Sequence, residues 1–233
     1  MKIDVLIFCT VTTGATLYGS TTELPVFKVR QQIVDKASAL AARTFIKSSK
    51  DILSAPDHFI ESVHEFMSPL IQGNDIHSDI VQHAVYFLEG LINQLQKKYP
   101  EQSAYITQRL AHLSFDGIYS YNTIHNIPIL NIATLLIMPN VVKTLLDAGA
   151  NPNAADANDT TPLIIAAQYA VAKENVALFI IQQLLDHGAQ PGLTDRYLKK
   201  TARGYALQAG NTEVAELLRT AELDLPDKSD TDQ

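Results

Sequence analysis

Apolar residues recur at helical spacing through the first half of the chain. Positions three and four residues apart lie on one face of a helix, so such a stripe indicates a helix with a buried side. Four stripes of this kind occur, at residues 29–46, 59–71, 80–95 and 105–113. Pro56 and Pro100 stand shortly before the second and fourth stripes, where proline is tolerated at a helix start. The pattern predicts a domain of four helices over residues 21–126.

A different organisation follows that region. Residues 115–126 contain Gly117 and three aromatic side chains, and they predict the connection to the second half. Beyond it, a short pattern recurs. The segment Thr161–Ala167 reads Thr-Pro-Leu-Ile-Ile-Ala-Ala, and Leu184–Ala189 reads Leu-Leu-Asp-His-Gly-Ala. The second pattern also occurs at Leu145–Ala150, and Thr201–Leu218 contains a whole unit without a gap.

The residues of this pattern suit helix ends. Gly149 and Gly188 stand where a helix stops, since glycine tolerates the left-handed conformation found there. Thr161 and Thr201 are placed to cap the next helix through a side-chain oxygen. Thr161 follows the first glycine by 12 residues and Thr201 follows the second by 13, a difference that a hairpin loop absorbs. The spacing indicates pairs of helices joined by hairpin tips.

These motifs resemble the ankyrin repeat, with about three units over residues 127–222. The resemblance implies an all-α fold in which an N-terminal helical bundle packs as a cap on a short solenoid. Three departures from the family pattern are visible. Ile164 replaces the usual histidine, about six extra residues fall near positions 169–175, and the first unit, Ile127–Ala133, lacks the capping threonine.

The resemblance also implies a binding surface. Ankyrin proteins usually meet partners through the hairpin tips and the first helices, which here correspond to residues 153–160, residues 190–200 and the helices after them. The predicted partner-binding residues are Asp156, Asn158, Asp159, Tyr169, Arg196, Tyr197, Leu198 and Tyr205. Asn and Asp in turns also satisfy the local backbone, so a purely structural role is the alternative. An exposed aromatic–aliphatic pair at Tyr197–Leu198 needs a further reason.

The first twenty residues allow two interpretations. An apolar run from Val5 to Val11 is followed by small and polar residues, as in a short secretory signal, with cleavage after Ala15 or near Gly19. Asp4 and the threonines favour a buried segment instead. A cleaved signal would make the protein exported or secreted, and otherwise it is cytoplasmic. No run approaches the roughly 18 apolar residues of a membrane span.

The net charge and the cysteine content argue against several kinds of binding site. The net charge of −7 argues against general nucleic-acid binding. Acidic residues are concentrated in the tail at residues 223–233, which also contains Pro226 and few apolar residues. That composition predicts disorder. Cys9 is the single cysteine, so an intrachain disulfide and a metal site of several cysteines are excluded.

No catalytic motif accompanies the repeats, so we expect no enzyme activity, no cofactor and no metal. His58 and His64, like His77 and His83, are six residues apart. On a helix these side chains point about 120° apart and cannot hold one metal from one face. His58, Glu61 and Glu65 share a helical face, which a solvated polar surface explains.

Two functions remain open. In the first, the chain is a protein-binding adaptor. Divergent repeats joined to an unfamiliar helical domain and an acidic tail resemble the ankyrin proteins of intracellular bacteria, some of which are delivered into host cells. In the second, the helical domain is an effector enzyme that the repeats target. Polar side chains converging in a pocket of residues 25–126 would favour the second function, and a packed apolar bundle would favour the first.

Overall fold

The computed structural model describes residues 40–46, 52–72, 74–119, 122–169 and 174–223. The structure is mostly helical, with 63% helix and 8% strand, as the sequence predicts. Two compact units divide the chain, Met1–Thr123 and Ile124–Gln233. No helix among these described residues is long and apolar enough to cross a membrane.

The predicted second and third helices of the first unit are confirmed. Residues 40–46 are helical, and they are followed by α1 (Pro56–Gln72), α2 (Asp79–Lys98) and α3 (Ala104–Ala111). Ser78 caps α2 by accepting a hydrogen bond from the Val81 N–H at 3.4 Å. Helices α1, α2 and α3 contact one another. Their shared core contains Val63, Met67, Phe87, Leu88, Leu91 and Ile106.

The short fourth helix differs in detail from its prediction. It begins at Ala104 rather than at Pro100, and the residues between form a turn in which the Ser103 N–H donates to the Tyr99 carbonyl at 2.9 Å. Tyr105 was placed in the apolar stripe, but its side chain is 48% exposed. Its hydroxyl donates to Asp57 Oδ1 at 2.6 Å, and this hydrogen bond raises the pKa of Tyr105. Ile106 and Leu110 form the buried face instead.

Two strands occupy the region predicted as the connection to the second half, where the sequence predicts no strand. They are β1 (Ser114–Tyr119) and β2 (Asn122–Pro128), which form a two-stranded sheet. The boundary between the two units falls within β2. In the first unit, the Ile76 N–H donates to the Ile118 carbonyl at 2.8 Å and so connects β1 to the turn before α2.

The second unit consists of successive helix pairs. These are α4 (Ile129–Leu135) with α5 (Pro139–Asp147), α6 (Pro162–Tyr169) with α7 (Glu174–Asp186), and α8 (Ala202–Gln208) with α9 (Thr212–Leu223). The first helices of successive pairs contact each other, α4 with α6 and α6 with α8. Stacking buries small residues between these first helices, among them Ala133, Ala166, Ala167 and Ala206.

The predicted helix-end roles are confirmed. Gly149 and Gly188 have φ angles of 91° and 88°, in the left-handed region that ends α5 and α7. Thr161 Oγ1 accepts from the Ile164 N–H at 3.3 Å, and Thr201 Oγ1 accepts from the Gly204 N–H at 3.2 Å. Helix α4 has no such cap, since Pro128 precedes it.

Several predictions fall outside the described residues. They include the signal segment at residues 1–20, the first stripe before residue 40, part of the insertion near residues 169–175, and the acidic tail from residue 224. The helix that follows the insertion, α7, has 13 residues, whereas its counterpart α5 has nine.

Candidate binding surface

Two hairpin tips connect the helix pairs of the second unit. Tip 1 comprises Asn153–Thr160, and tip 2 comprises Gln190–Lys200. A backbone hydrogen bond closes the end of each tip. In tip 1 the Asp156 N–H donates to the Thr160 carbonyl, and in tip 2 the Asp195 N–H donates to the Lys200 carbonyl, both at 3.2 Å. Asp156 and Asp195 therefore occupy equivalent positions, and one extra residue follows the aspartate in tip 2.

Asp156 organises tip 1 from within. Its Oδ1 accepts from the N–H groups of Asn158 at 2.8 Å and Thr160 at 2.9 Å. The loop then turns through Asp159, whose φ angle is 60°. The predicted binding residue Asp156 thus serves the local backbone, which is the structural role weighed for it.

Asp195 does the same for tip 2, and more completely. Its carboxylate is 4% exposed. Oδ1 accepts from the N–H groups of Tyr197 at 2.9 Å and Leu198 at 2.7 Å, while Oδ2 accepts from the Lys200 N–H and the Tyr205 hydroxyl, both at 3.0 Å. Burial would raise the pKa of Asp195, but these hydrogen bonds outweigh it and lower the pKa.

The two tips are connected to each other. Asn153 Nδ2 donates to the Gly188 carbonyl at 3.1 Å, and its Oδ1 accepts from the Gln190 N–H at 2.7 Å. The Arg196 N–H donates to the Asn158 carbonyl at 2.9 Å. Tip 1 is joined in the same way to the end of β2, since the Ala157 N–H donates to the His125 carbonyl at 3.2 Å. The tips therefore form a ladder along one edge of the helix pairs.

An ion pair adds to this ladder. Arg196 Nε lies 3.1 Å from Asp159 Oδ2, and Nη2 lies 3.3 Å from Asp159 Oδ1. The Asp159 carboxylate raises the pKa of Arg196. Both side chains are about half exposed, at 56% and 48%, so two of the predicted binding residues pair with each other at the surface.

The side chains of Tyr197 and Leu198 take no part in these contacts. Their exposed fractions are 75% and 58%, although their backbone N–H groups are bound by Asp195. The loop is therefore held at its backbone while an aromatic and an aliphatic side chain face solvent. Rigid exposed aromatic groups are typical of residues that dominate binding.

The two predicted tyrosines on first helices have different surroundings. The Tyr205 hydroxyl donates to Asp195 Oδ2, and Lys200 Nζ lies 5.8 Å from the ring centroid. Burial and the hydrogen bond to Asp195 raise the pKa of Tyr205. Tyr169 is half-buried at the end of α6. The Tyr205 hydroxyl thus stabilises tip 2 by binding the Asp195 carboxylate.

The sequence interpretation missed three residues of interest. Asp195 and Asn153 hold the tips, and Asx residues in turns are a known signal for that role. Phe179 on α7 is 52% exposed. Its position could have been read from the helical period, because the buried residues Ala177, Ile180, Ile181 and Leu184 define the opposite face.

The first unit presents no comparable convergence of polar groups in its described part. His64 is stacked on Phe115 at 5.0 Å, with Nε2 lying 3.3 Å from the Ser114 carbonyl and Nδ1 lying 3.4 Å from Ser68 Oγ. Both ring nitrogens therefore have partners within the fold. Among the described residues, no group of three or more His, Cys, Asp or Glu side chains is arranged to hold a metal ion.

Comparison with known proteins identifies the second unit. Residues 130–230 match the family model for ankyrin repeats, in three copies. An ankyrin repeat-containing protein of Treponema pallidum (strain Nichols) is 42% identical over 66 residues. That match covers 28% of this chain and 20% of the relative, so the chain spans about a fifth of the length of the relative it matches.

Proposed function

Because residues 130–230 carry three ankyrin repeats, we propose that this chain is a protein-binding scaffold whose main contact surface is tip 2. Ankyrin repeats are generally protein–protein interaction modules. The observation that carries the proposal is the exposure of Tyr197 and Leu198, at 75% and 58%, on a loop whose backbone is fixed by Asp195.

The fixed backbone favours binding for an energetic reason. Ordering a flexible loop on association costs free energy, which a preorganised loop avoids. Burying an exposed tyrosine and leucine then contributes about 25 cal/mol for each Å² of apolar surface removed from water. Tip 1 has no such pair, because its apolar residues are Ala154, Ala155 and Ala157.

The proposal extends to the whole chain as an adaptor that is not itself an enzyme, and that is exported if residues 1–20 are a signal. Supporting it, the described core of the first unit is packed with apolar side chains, and both nitrogens of His64 are engaged. The effector-enzyme alternative and the capping of the repeats by residues 21–126 stay predictions.

Affinity capture with mass spectrometry tests the proposal. The bait is the intact chain, compared with the double variant Tyr197→Ala, Leu198→Ala. Tyr105→Ala serves as the matched control, because it removes another exposed tyrosine, 48% exposed, from the first unit. We expect a specific partner that is lost with the double variant and kept with the control.

Two results would contradict the proposal. A partner indifferent to the tip 2 substitutions would place the contact elsewhere. A partner captured by the chain after deletion of residues 127–222 would move the function to the first unit and favour the effector enzyme.

A further inference from the structure

The ladder consists of three successive rungs, which are the end of β2, tip 1 and tip 2. The hydrogen bonds between rungs all run in one direction, and tip 2 is the last rung among the described residues. In each junction, the residue after the tip aspartate donates its N–H to a carbonyl of the preceding rung. Ala157 donates to His125 at 3.2 Å, and Arg196 donates to Asn158 at 2.9 Å. Asn158 lies two residues after Asp156 and directly before the left-handed Asp159, so with the extra residue of tip 2 the equivalent acceptor is a backbone carbonyl of Tyr197–Leu198.

The helix that precedes the next rung does not end as the others do. Gly149 and Gly188, each three residues after a Leu-Leu pair, end α5 and α7 with positive φ angles. The equivalent position after Leu217–Leu218 is Ala221, and α9 continues through it to Leu223. Up to Leu223, the described chain therefore forms no further tip beside tip 2, so the outer edge of tip 2 is open among the described residues.

The charge at this edge is reversed relative to tip 1. In tip 1 the residue with left-handed φ is Asp159, which receives Arg196 of the following rung. In tip 2 the residue in that conformation is Lys199, with a φ angle of 52°. Arg196 and Lys200 flank the same loop, but Arg196 pairs with Asp159 and Lys200 Nζ donates to Gln208 Oε1 at 2.7 Å, so Lys199 carries the charge presented at this edge. A segment docking here therefore meets a cation where Arg196 met an anion.

Lysine is also an unfavourable residue for this backbone conformation. Left-handed φ costs an ordinary L-residue about 1 kcal/mol, and Gly, Asn and Asp are the usual occupants. Lys199 is exposed and contributes nothing to the core, so packing does not account for a lysine in this conformation.

We propose that the open edge of tip 2 binds an extended, acidic segment of a partner protein in the place of a next tip. The segment donates a backbone N–H to a carbonyl of Tyr197–Leu198, places a carboxylate at Lys199, and packs an apolar side chain on the side chains of these two residues. This inference rests on the proposed function and specifies the chemistry of the partner.

A phage-displayed library of random 12-residue peptides tests the inference on the intact chain. We expect the selected peptides to combine Asp or Glu with a neighbouring apolar residue. The best peptide, labelled with fluorescein, is then measured by fluorescence anisotropy. Lys199→Glu should weaken its binding by roughly tenfold, since an attraction becomes a repulsion.

Two further variants separate charge from folding. Lys199→Asn suits the left-handed conformation and removes the charge, so it should weaken binding about fivefold. Lys97→Glu makes the same charge change at an exposed position of α2 and should leave binding unchanged. A peptide whose acidic residue is replaced by lysine should regain binding to the Lys199→Glu chain, which a merely misfolded loop would not allow.

Four results would overturn the inference. Peptides that depend on Tyr197 but not on Lys199 would leave the proposed function intact and remove the acidic partner. Selected peptides indifferent to substitutions at both Tyr197 and Lys199 would contradict both proposals. The absence of any binding peptide would overturn this inference alone, since a folded partner protein could still bind tip 2. Acidic peptides that bind only after residues 224–233 are deleted would assign the edge to the chain's own acidic tail rather than to a partner.

Discussion

Tip 1 and tip 2 use the same device and present different surfaces. In both, an aspartate side chain binds backbone N–H groups of the loop that follows it. In tip 1 the aspartate makes two such bonds, and the polar side chains of the loop serve the array. Tip 2 has one residue more, its aspartate is buried and four-fold bonded, and Tyr197 and Leu198 face solvent. The longer loop thus combines a stronger internal support with an exposed apolar surface.

The largest expected effect separates the two aspartates. Asp195→Ala should lower the free energy of unfolding by about 3 kcal/mol, because three N–H groups and the Tyr205 hydroxyl lose a charged acceptor. Asp156→Ala should lower it by about 1 kcal/mol, since only two such bonds are lost and Asp156 is less buried than Asp195. Urea unfolding of the two variants measures the difference. Equal losses would show that the two tips are supported alike.

A second effect follows from the pKa of Asp195, which is lowered from its ordinary value of 3.8. A carboxyl group with a depressed pKa in the folded state stabilises the fold above its unfolded pKa. That contribution is lost as the pH falls through the folded pKa. The destabilisation caused by Asp195→Asn should therefore shrink as the pH is lowered from about 5 to about 2. Urea unfolding of both chains at each pH provides the measurement, and a penalty independent of pH would contradict the assignment.

The connection between the tips should matter less than their internal support. Asn153→Ala removes one bond to the Gly188 carbonyl and one from the Gln190 N–H, at an exposed position where water replaces them in part. We expect a loss of about 1 kcal/mol, read from the urea midpoint. Asn153→Asp retains the acceptor but not the donor, so its stability should lie between those of the unchanged chain and Asn153→Ala. A loss of stability for Asn153→Ala larger than that for Asp195→Ala would contradict this ordering.

The smallest effect is expected for the surface ion pair. Arg196→Ala should shift the urea midpoint less than Asn153→Ala does, because exposed ion pairs contribute little and salt screens them. The shift should decrease further in 1 M salt. A shift that is larger than that for Asn153→Ala, or unaffected by salt, would mean that Arg196 supports tip 2 through packing rather than charge.

Much of the second unit could be predicted from particular residues. Gly149, Gly188, Thr161 and Thr201 each have one local role, and short-range chemistry sets helix ends. The contact between Asp159 and Arg196 could not be predicted, since 37 residues separate them and only the stacking of the pairs brings them together. Asp195 was missed for a related reason, because its importance depends on burial and on Tyr205 beneath it.

In the first unit, the helices could be predicted from the sequence, but the strands and the surroundings of Tyr105 could not. Its apolar stripes predict α1 and α2, because helical period alone identifies a buried face. The strands β1 and β2 were missed because residues 115–126 lack a clear alternation of apolar and polar positions. Tyr105 was misplaced since a tyrosine ring fits either an apolar stripe or a surface hydrogen bond, and only the position of Asp57 decides between them.

The support that Asp195 gives to tip 2 has a consequence for how its specificity can change. Three of its four hydrogen bonds go to main-chain N–H groups, which every residue except proline possesses. The side chains at positions 197 and 198 can therefore be exchanged with little effect on the base of the hairpin, whereas position 199, with its left-handed φ angle, favours Gly, Asn or Asp. The loop behaves as a cassette, and new recognition sequences could be grafted into it, by selection in nature or by design, while the helices beneath stay as they are.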